Sequence, residues 1–396
     1  MTLRPRPATH TAQRGAADRC PGVFTTFSAA DGQLARIRLP GGALRADQLE
    51  TLAQAAADHA DGFLELTGRG NIQLRAIADV DAVAGLISAS GLTTDAATDR
   101  HRNIVASPLS GRVGGVADIR TTVAALDAAL SSGAAPEMLS RRFWFGVDDG
   151  RADVIAQRPD VTLFATDSER FDVLLGARTV GSTVAASAVD VLVGAAEYFA
   201  AAAPEAWRVS DVDARLRAAI GSHLAATLDP PSHSDPIQPA VRTPLVGWFP
   251  QQDSRVLLGA TMPLGRLPAR TAQFLAAINA PLIVTPHREI LICDLGEDVA
   301  DTVVRVLAPM GLIFDVNSPW TLVSSCAGAP GCAKALSPVR EHLTKQVDLT
   351  PDAITEPEHW VGCERACGTP THPHTRVQAV SDGAGGAITY RRTPMS

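Results

Sequence analysis

Cysteine and lysine are both scarce in this chain of 396 residues. Six cysteines are too few for the disulfide framework of a small secreted protein. Lys334 and Lys345 are the only lysines, so nearly all of the 35 cationic side chains are arginines. The net charge of −7 gives no global argument for nucleic-acid binding. Because a guanidinium group binds a carboxylate through two hydrogen bonds, an arginine-rich cleft would suit a polyanionic ligand.

Targeting and nucleotide-binding signals are also missing. Residues 1–24 contain no apolar segment of the kind that a secretory signal needs, so we expect a cytoplasmic protein. The most apolar stretch, residues 185–203, contains Asp190 and Glu197, which favour a water-soluble helix over a membrane span. No G-x-G-x-x-G motif follows a strand and no Walker A motif occurs, so we do not expect direct binding of NADH or NADPH.

Four of the six cysteines lie close together in the last quarter of the chain: Cys326, Cys332, Cys363 and Cys367. Five residues separate the first pair and three separate the second. Zinc sites favour pairs that are about two to four residues apart, whereas a [4Fe–4S] cluster is wider and takes four thiolates. The spacing therefore favours an iron–sulfur cluster, with structural zinc and unbound cysteines as the alternatives. If residues 363–367 are helical, their two cysteines share one face.

The chain repeats itself once, in residues 34–92 and 256–312. Three residues match in register, Pro40, Leu44 and Leu52 against Pro263, Leu267 and Leu275. The apolar spacing predicts strand–helix–strand–strand–helix in each copy, a ferredoxin-like half unit. We expect an α+β fold in which the two halves pair into one sheet, and each half is followed by a mixed α/β segment.

These patterns divide the chain into successive segments. They are a ferredoxin-like half domain at 20–95, an α/β domain without cluster cysteines at 96–227, a linker at 228–244, a second half domain at 245–315 and a cluster domain at 316–396. The linker is assigned because it is rich in Pro, Ser and Asp. When the two α/β segments are aligned, Pro108 stands opposite Cys326, so only the second copy supplies thiols.

The paired cysteines of an internally doubled chain resemble those of the nitrite/sulfite reductase superfamily. This resemblance implies that the four cysteines hold a [4Fe–4S] cluster and that Cys367 contacts the iron of a siroheme. Three further segments are similar to motifs of the superfamily: T-G-R-G-N-I-Q with Thr67, Arg69 and Gln73, R-H-R-N with Arg102 and Asn103, and L-S-R-R-F with Arg142. They imply a macrocycle site lined by these residues, with the three arginines as catalytic candidates.

The chain also departs from sulfite-reducing members of the superfamily. Trp144 stands where those enzymes place a second active-site lysine, and the chain is much shorter than they are. The segments C-P-G-V-F, L-P-G-G-A-L and G-V-D-D-G look more like the precorrin-3B synthase branch. That branch implies oxidation of precorrin-3A by O2, with ring hydroxylation and lactone closure in aerobic cobalamin biosynthesis. A small siroheme-dependent sulfite or nitrite reductase and a non-enzymatic zinc protein are the alternatives.

The arginines suit the polycarboxylate tetrapyrrole that this branch implies. In the predicted strand N-I-Q-L-R-A, Asn71, Gln73 and Arg75 share one face, while Ile72 and Leu74 share the other. We therefore predict that the polar face and four arginines bind macrocycle carboxylates: Arg69, Arg75, Arg102 and Arg142.

Three histidines lie near the cysteines: His359, His372 and His374. An oxygenase needs iron that is open to O2, as siroheme or as a mononuclear centre with histidine ligands, and the sequence leaves both open. We expect the imidazoles to be exposed in a tail loop and assign them no ligand role. The resemblance implies that electrons reach the cluster from a ferredoxin or a separate NAD(P)H reductase, and neither a nucleic acid nor a membrane is an expected partner.

Overall fold

The structure is a computed structural model that describes residues 18–93, 95–135, 137–233, 235–382 and 388–395. Residues 1–17, most of the segment in which we found no secretory signal, lie outside the described residues. The first half domain contains β1 (Phe27–Ala29), β2 (Gly32–Ile37), β3 (Ala43–Leu44), α1 (Ala46–His59), β4 (Phe63–Leu66), β5 (Ile72–Ile77) and α2 (Val80–Ala89). Helix α1 buries Leu49, Leu52 and Ala56, whose spacing places them on one face.

The first α/β domain contains β6 (Ile104–Ala106), α3 (Arg120–Ser131), β7 (Phe145–Asp148), β8 (Val161–Ala165), β9 (Arg170–Leu175), β10 (Arg178–Val184), α4 (Ala188–Ala202) and α5 (Ala214–Ala225). Its sheet has the order β10-β9-β8-β7-β6. Strands β6, β7 and β8 are parallel, whereas β8, β9 and β10 are antiparallel. Parallel strands direct their carboxyl ends to one edge of the sheet, where loops can converge.

The second half domain contains β11 (Gly247–Pro250), β12 (Val256–Ala260), β13 (Arg266–Pro268), α6 (Ala269–Ala277), β14 (Leu282–Val284), β15 (Ile290–Leu295) and α7 (Glu297–Leu307). This is the same order of elements as in the first half domain, as the sequence repeat predicts. Buried residues from both halves form one hydrophobic core, in which α1 packs against α6.

The two halves pair by exchanging a short strand. One sheet has the order β1-β2-β5-β4-β13 and the other β11-β12-β15-β14-β3, so each ends on a strand from the other half. Leu267 of β13 pairs with Leu64 of β4, and Leu44 of β3 pairs with Leu282 of β14. The exchange covers edges of β4 and β14 that would otherwise leave N–H and C=O groups unpaired. The α+β class and the paired halves are confirmed, but the expected single sheet is corrected to two.

The cluster domain contains β16 (Val323–Ser325), α8 (Val339–Leu349), β17 (Glu358–Val361), β18 (His374–Ser381) and β19 (Ile388–Met395). Its sheet has the order β16-β17-β18-β19, again with parallel strands followed by an antiparallel pair. Ser107 N donates to Val147 O at 3.2 Å after β6, and Cys326 N donates to Trp360 O at 3.0 Å after β16. The backbone therefore aligns Ser107 with Cys326, one residue before the Pro108 that sequence alignment predicted.

One helix of the described chain, residues 185–202, is long and apolar enough to cross a membrane by length and composition. Its α4 portion contributes Leu192, Ala196 and Phe199 to the core of the first α/β domain. These side chains pack against the sheet within the protein.

Candidate functional site

The four clustered cysteines lie in two loops at the carboxyl ends of adjacent parallel strands. Cys326 directly follows β16, and Cys363 follows β17 after Gly362. Gly362 N donates to Cys326 Sγ at 3.3 Å, which ties the two loops together. A Cβ at Gly362 would lie 2.6 Å from that of Ala335, so glycine is needed for this approach. The sheet thereby brings sequence-distant thiols into one place.

The thiols affect one another electrostatically. Burial raises the pKa of Cys326, and Cys363 and Cys332 raise it further. Burial likewise raises the pKa of Cys367, with contributions from the other three cysteines. Such a set is costly to ionise by itself, and a metal centre would stabilise the thiolates.

The donor set fits an iron–sulfur cluster. Four free thiols converge from two loops. A [4Fe–4S] cluster takes four thiolates, and structural zinc is the alternative that can use the same set. The residues therefore fit a [4Fe–4S] cluster. Residues 363–367 form turns with Ala366 at φ 46°, so the conditional expectation of a helix there is wrong.

His359 packs against the loop that contains Cys367 and is fully buried. Its Nε2 donates to the carbonyl oxygen of Cys367 at 3.1 Å, and its Nδ1 accepts from Ser324 Oγ at 2.8 Å. Burial lowers the pKa of His359 to about 3, so the ring is neutral and can serve both bonds. His374 is also buried, and the expectation of exposed imidazoles is corrected for both residues. Side-chain hydrogen bonds to the loop and close packing explain the burial.

Arg69 lies in the tight turn between β4 and β5. Thr67 Oγ1 accepts from Asn71 N at 3.1 Å, and Gly70 has a φ of 65° that suits glycine. The Arg69 guanidinium lies 4.9 Å from the ring centroid of Trp144. Burial, together with the charges of Arg208 and Arg36, lowers the pKa of Arg69 to about 9. No carboxylate of a described residue lies within 4 Å of this guanidinium.

Arg36 is a candidate site residue that sequence reasoning missed. It is held by Gln73, whose Oε1 accepts from Arg36 Nη2 at 3.1 Å and whose Nε2 donates to Glu65 at 3.2 Å. The Nε of Arg36 is buried without a hydrogen-bond partner among the described residues. Gln73 therefore positions a cation, and the alternation in the segment L-A-R-I-R-L was the available signal.

Two arginine guanidinium groups lie near the ring of Trp144, those of Arg69 and Arg208. Arg208 lies 5.8 Å from its ring centroid on a loop that sequence reasoning also missed. Asp160 accepts from Trp144 N at 2.8 Å and from Arg208 Nε at 2.5 Å, so one buried carboxylate fixes both residues. The guanidinium of Arg142 packs over the neighbouring Trp207, 4.3 Å from the centroid of the Trp207 ring. Arg142 is thus placed by stacking, and the segment A-W-R that supplies Trp207 and Arg208 matches no motif quoted above.

The remaining predicted residues are engaged inside the protein. Arg75 binds Asp31 through two hydrogen bonds of 2.9 Å and donates to Gly331 O at 2.8 Å. This arginine joins the first half domain to the loop between Cys326 and Cys332.

Arg102 binds Asp127 at 2.6 and 2.8 Å and donates to Leu92 O. Asn103 accepts from Arg38 at 3.0 Å and donates to backbone carbonyls. The structure therefore favours structural roles for Arg75, Arg102 and Asn103 over the predicted carboxylate binding.

The arginine cluster, defined as Arg36, Arg69, Arg142 and Arg208, is connected to the cysteine loops. A Cβ at Gly68 would lie 3.7 Å from the guanidinium of Arg288, and one at Gly368 would lie 3.0 Å from it. Gly68 precedes Arg69 and Gly368 follows Cys367, so the Arg288 guanidinium lies close to both the turn that carries Arg69 and the loop that carries Cys367. Among the described acids, Asp160 binds the side chain of Arg208 and Glu65 binds Gln73. The arginine cluster can therefore take an anionic ligand near the four cysteines.

Comparisons with known proteins agree with this arrangement. Residues 29–88 match the family model described as "Nitrite/Sulfite reductase ferredoxin-like half domain". A precorrin-3B synthase from Sinorhizobium sp. is 24% identical over 391 residues, which cover 94% of this chain and 82% of that protein. The solved structure of the Mycobacterium tuberculosis NirA protein has a TM-score of 0.70 at 18% identity and covers 91% of this chain and 74% of its own.

These findings bear on class and family. Since the matched family model is named for two reductases, the match supports an enzyme of the oxidoreductase class. The NirA likeness shows that the fold is shared. The chain therefore contains a segment similar to the nitrite/sulfite reductase half domain, is similar to a precorrin-3B synthase over most of its length, and shares the fold of the NirA protein.

Proposed function

We propose that this protein is a precorrin-3B synthase-like iron–sulfur monooxygenase that converts precorrin-3A to precorrin-3B in aerobic cobalamin biosynthesis. The substrate is a tetrapyrrole fringed with acetate and propionate groups. O2 supplies the oxygen for ring hydroxylation, and an acetate side chain closes a lactone. Ferredoxin or a separate NAD(P)H reductase supplies the electrons, and the reaction takes place in the cytoplasm.

The observation that carries this proposal is the arginine cluster. Arg69 is desolvated, lies near Arg36 and Arg208, and has no carboxylate partner among the described residues. A carboxylate from the substrate would restore the solvation that burial removes and would reduce the repulsion between the cations. Trp144 holds Arg69 from one side, so the guanidinium is already oriented when the ligand arrives.

The cysteines supply the second part of the proposal. Cys326, Cys332, Cys363 and Cys367 would hold a [4Fe–4S] cluster, which supplies one-electron transfer when bound. His359 fixes the loop that carries Cys367, and Arg75 fixes the loop between Cys326 and Cys332. These contacts keep the ligands preorganised beside the arginine cluster.

Anaerobic incubation with precorrin-3A and a reduced donor, followed by admission of air, tests the activity. We expect a product heavier by one oxygen atom in mass spectrometry, formed only after air enters. Production of sulfide from sulfite or ammonia from nitrite, without that product, would overturn the proposal. A visible spectrum and metal analysis separate the remaining class, because a zinc protein is colourless.

Arg69→Ala tests the binding site directly, with uroporphyrin III as a stable polycarboxylate tetrapyrrole. We expect affinity to fall by roughly tenfold or more, since a charge-assisted hydrogen bond contributes about 1.5–3 kcal/mol. Arg45→Ala removes an exposed arginine of the same half domain and should leave affinity unchanged. Equal affinities of the two variants would remove Arg69 from the site.

A further inference from the structure

A small cavity lies beside the arginine cluster, where the two half domains meet the loop after Cys367. Its volume is about 50 Å³. Gly68 lines it from the first half domain, His287 and Arg288 from the second, and His372 from the loop after Cys367. A water needs about 10–15 Å³ on this measure, so the space admits a few waters or one carboxylate-sized group. A tetrapyrrole ring does not fit inside it.

The cavity is the counterpart of the Arg69 turn in the second half domain. Thr67 N donates to Asn71 O at 2.9 Å in the first turn, and Thr285 N donates to Glu289 O at the same distance in the second. Counting from each threonine, His287 occupies the place of Arg69. The repeat therefore presents two equivalent turns to the centre of the molecule, with a guanidinium on one and an imidazole on the other.

Hydrogen bonds to Gln157 determine which nitrogen of His287 carries the proton. Thr371 Oγ1 donates to Gln157 Oε1 at 3.2 Å, so the amide nitrogen is directed at His287 Nε2, 3.3 Å away. That nitrogen must accept, and the proton of the ring lies on Nδ1. Burial lowers the pKa of His287 to about 3, which keeps the ring neutral. Within the described chain, Nδ1–H has no acceptor, so it is available to a ligand.

Two arginines set the charge of the cavity. Arg288 donates one hydrogen bond, to Gly368 O at 3.0 Å, and forms no ion pair within 4 Å with any described acid. Arg242 also lines the cavity and forms an ion pair with Glu289, with 3.5 Å between Arg242 Nη2 and Glu289 Oε1. Glu358, the acid in the lining, already binds Arg392 and Trp360 Nε1. Among the described residues of the lining, Arg288 therefore carries positive charge that no acid pairs with.

This charge excludes the obvious alternative of a metal site on the histidines. The rings of His287 and His372 lie 5.5 Å apart, but Arg242 and Arg288 would repel a cation in the same space. His372 Nδ1 is buried and has no hydrogen-bond partner among the described residues. A neutral donor and two guanidinium groups suit an oxyanion instead.

We propose that this cavity, lined by Arg242, His287, Arg288 and His372, binds one oxyanion group, with Arg288 as its main cation and His287 Nδ1–H as a neutral donor. The group is a free inorganic oxyanion or a carboxylate arm of the tetrapyrrole, and the second source rests on the proposed function. Gly68 and Gly368 both border the cavity, so an arm from a macrocycle held by Arg69 could enter it.

Calorimetric titration of the full-length protein with sulfate tests the cavity. We expect Arg288→Gln to weaken sulfate binding by about tenfold or more. Arg305→Gln, which removes an exposed arginine of α7, should change it less than about twofold. Thr371→Val is the milder second variant, because it removes the hydrogen bond that orients Gln157 and should weaken binding about threefold. Sulfate affinity that neither Arg288→Gln nor Thr371→Val alters in folded protein would overturn the proposal.

Two further titrations separate this proposal from the function proposed above. If Arg69→Ala abolishes sulfate binding and Arg288→Gln does not, the anion occupies the arginine cluster, and the cavity proposal fails while the proposed function survives. If Arg288→Gln weakens sulfate binding as expected, uroporphyrin III identifies the source. Competition between sulfate and uroporphyrin III indicates a carboxylate arm, and simultaneous binding indicates a free anion; both support the cavity.

Discussion

The first α/β domain and the cluster domain have equivalent pairs of loops, and in each domain a hydrogen bond connects the two loops. The acceptor atom of that bond differs between the domains. In the first, Asp149 N donates to Ser107 Oγ at 3.1 Å. In the second, Gly362 N donates to Cys326 Sγ at 3.3 Å. The strands that lead into these loops are parallel in both domains and pair in the same way. One backbone arrangement has therefore been given two side-chain chemistries.

In the first α/β domain, carboxylates occupy the place of the thiols and are satisfied internally. Asp148 accepts four backbone N–H groups, at 2.9 to 3.3 Å. Asp149 binds Arg151 through two hydrogen bonds, and Asp153 accepts from Ser107 Oγ at 2.6 Å. These bonds hold the loop closed with protein groups alone. In the cluster domain, Cys326 Sγ accepts from Gly362 N, and the four thiols are the ligands that we propose for a [4Fe–4S] cluster, so the two copies carry different donor groups at equivalent loops.

The largest effect is expected when the aligned residues Ser107 and Cys326 are exchanged between the two domains. Cys326→Ser gives the cluster domain the residue that the first α/β domain has at Ser107. We expect most of the iron, acid-labile sulfide and visible absorbance to be lost, because a [4Fe–4S] cluster needs four thiolates. Iron and sulfide per chain, measured after anaerobic purification, are the readout.

Two controls accompany this exchange. Ser107→Cys introduces a thiol into the first α/β domain and should add no iron, since the carboxylates around it supply no further thiols. Cys293→Ser alters a buried thiol of β15 and should leave the iron content unchanged. Full iron and sulfide content in Cys326→Ser would refute the assignment of the four cysteines.

The pH dependence of the unfolding free energy should depend on the loop that contains Asp148, Asp149 and Asp153. Burial, and then the charge of Asp148, raise the pKa of Asp153 to about 7. The pKa of Asp153 in the unfolded chain is near 3.8. Between pH 3.8 and 7 the folded protein therefore binds more protons than the unfolded chain. Because of this difference, the free energy of unfolding falls as the pH rises from about 4 to 7. Asp153→Asn should remove roughly 2 kcal/mol of this decline, because one pKa unit corresponds to about 1.4 kcal/mol and coupling to Asp148 reduces the effect.

Urea unfolding across this pH range measures the effect. Asp58→Asn changes an exposed carboxylate of α1 and should keep the slope of the unmodified protein. A slope that Asp153→Asn leaves unaltered would show that the carboxylate is already ionised in the folded state at low pH.

The sequence predicted most of the fold, because the repeated half domains are marked by local apolar spacing. Strand exchange was beyond it, since β3 and β13 contain two and three residues and their partners lie in the other half. The convergence of the cysteines followed from spacing and family motifs together, whereas the domain boundaries stay a prediction.

Residues of the candidate site could be predicted from the sequence only where they belong to a recognisable motif. Motifs located Arg69 and Arg142 but could not supply the partners of Arg75 and Arg102, because Asp31 and Asp127 are distant in sequence and act through the fold. Arg208 carries no motif and reaches the site on a loop fixed by Asp160. Sequence pattern identifies a guanidinium, but the tertiary structure decides whether its charge is compensated.

The smallest expected effect concerns Trp144, whose indole lies 4.9 Å from the Arg69 guanidinium. Trp144→Phe keeps an aromatic ring beneath Arg69 but weakens the cation–π contact, so uroporphyrin III affinity should fall by about two- to fivefold, equivalent to about 0.5–1 kcal/mol. Trp248→Phe, in an exposed position on β11, is the matched control and should have no effect. A loss as large as that of Arg69→Ala would mean that the indole itself contacts the macrocycle, whereas an unchanged affinity would mean that Asp160 and Arg208 suffice to shape the site.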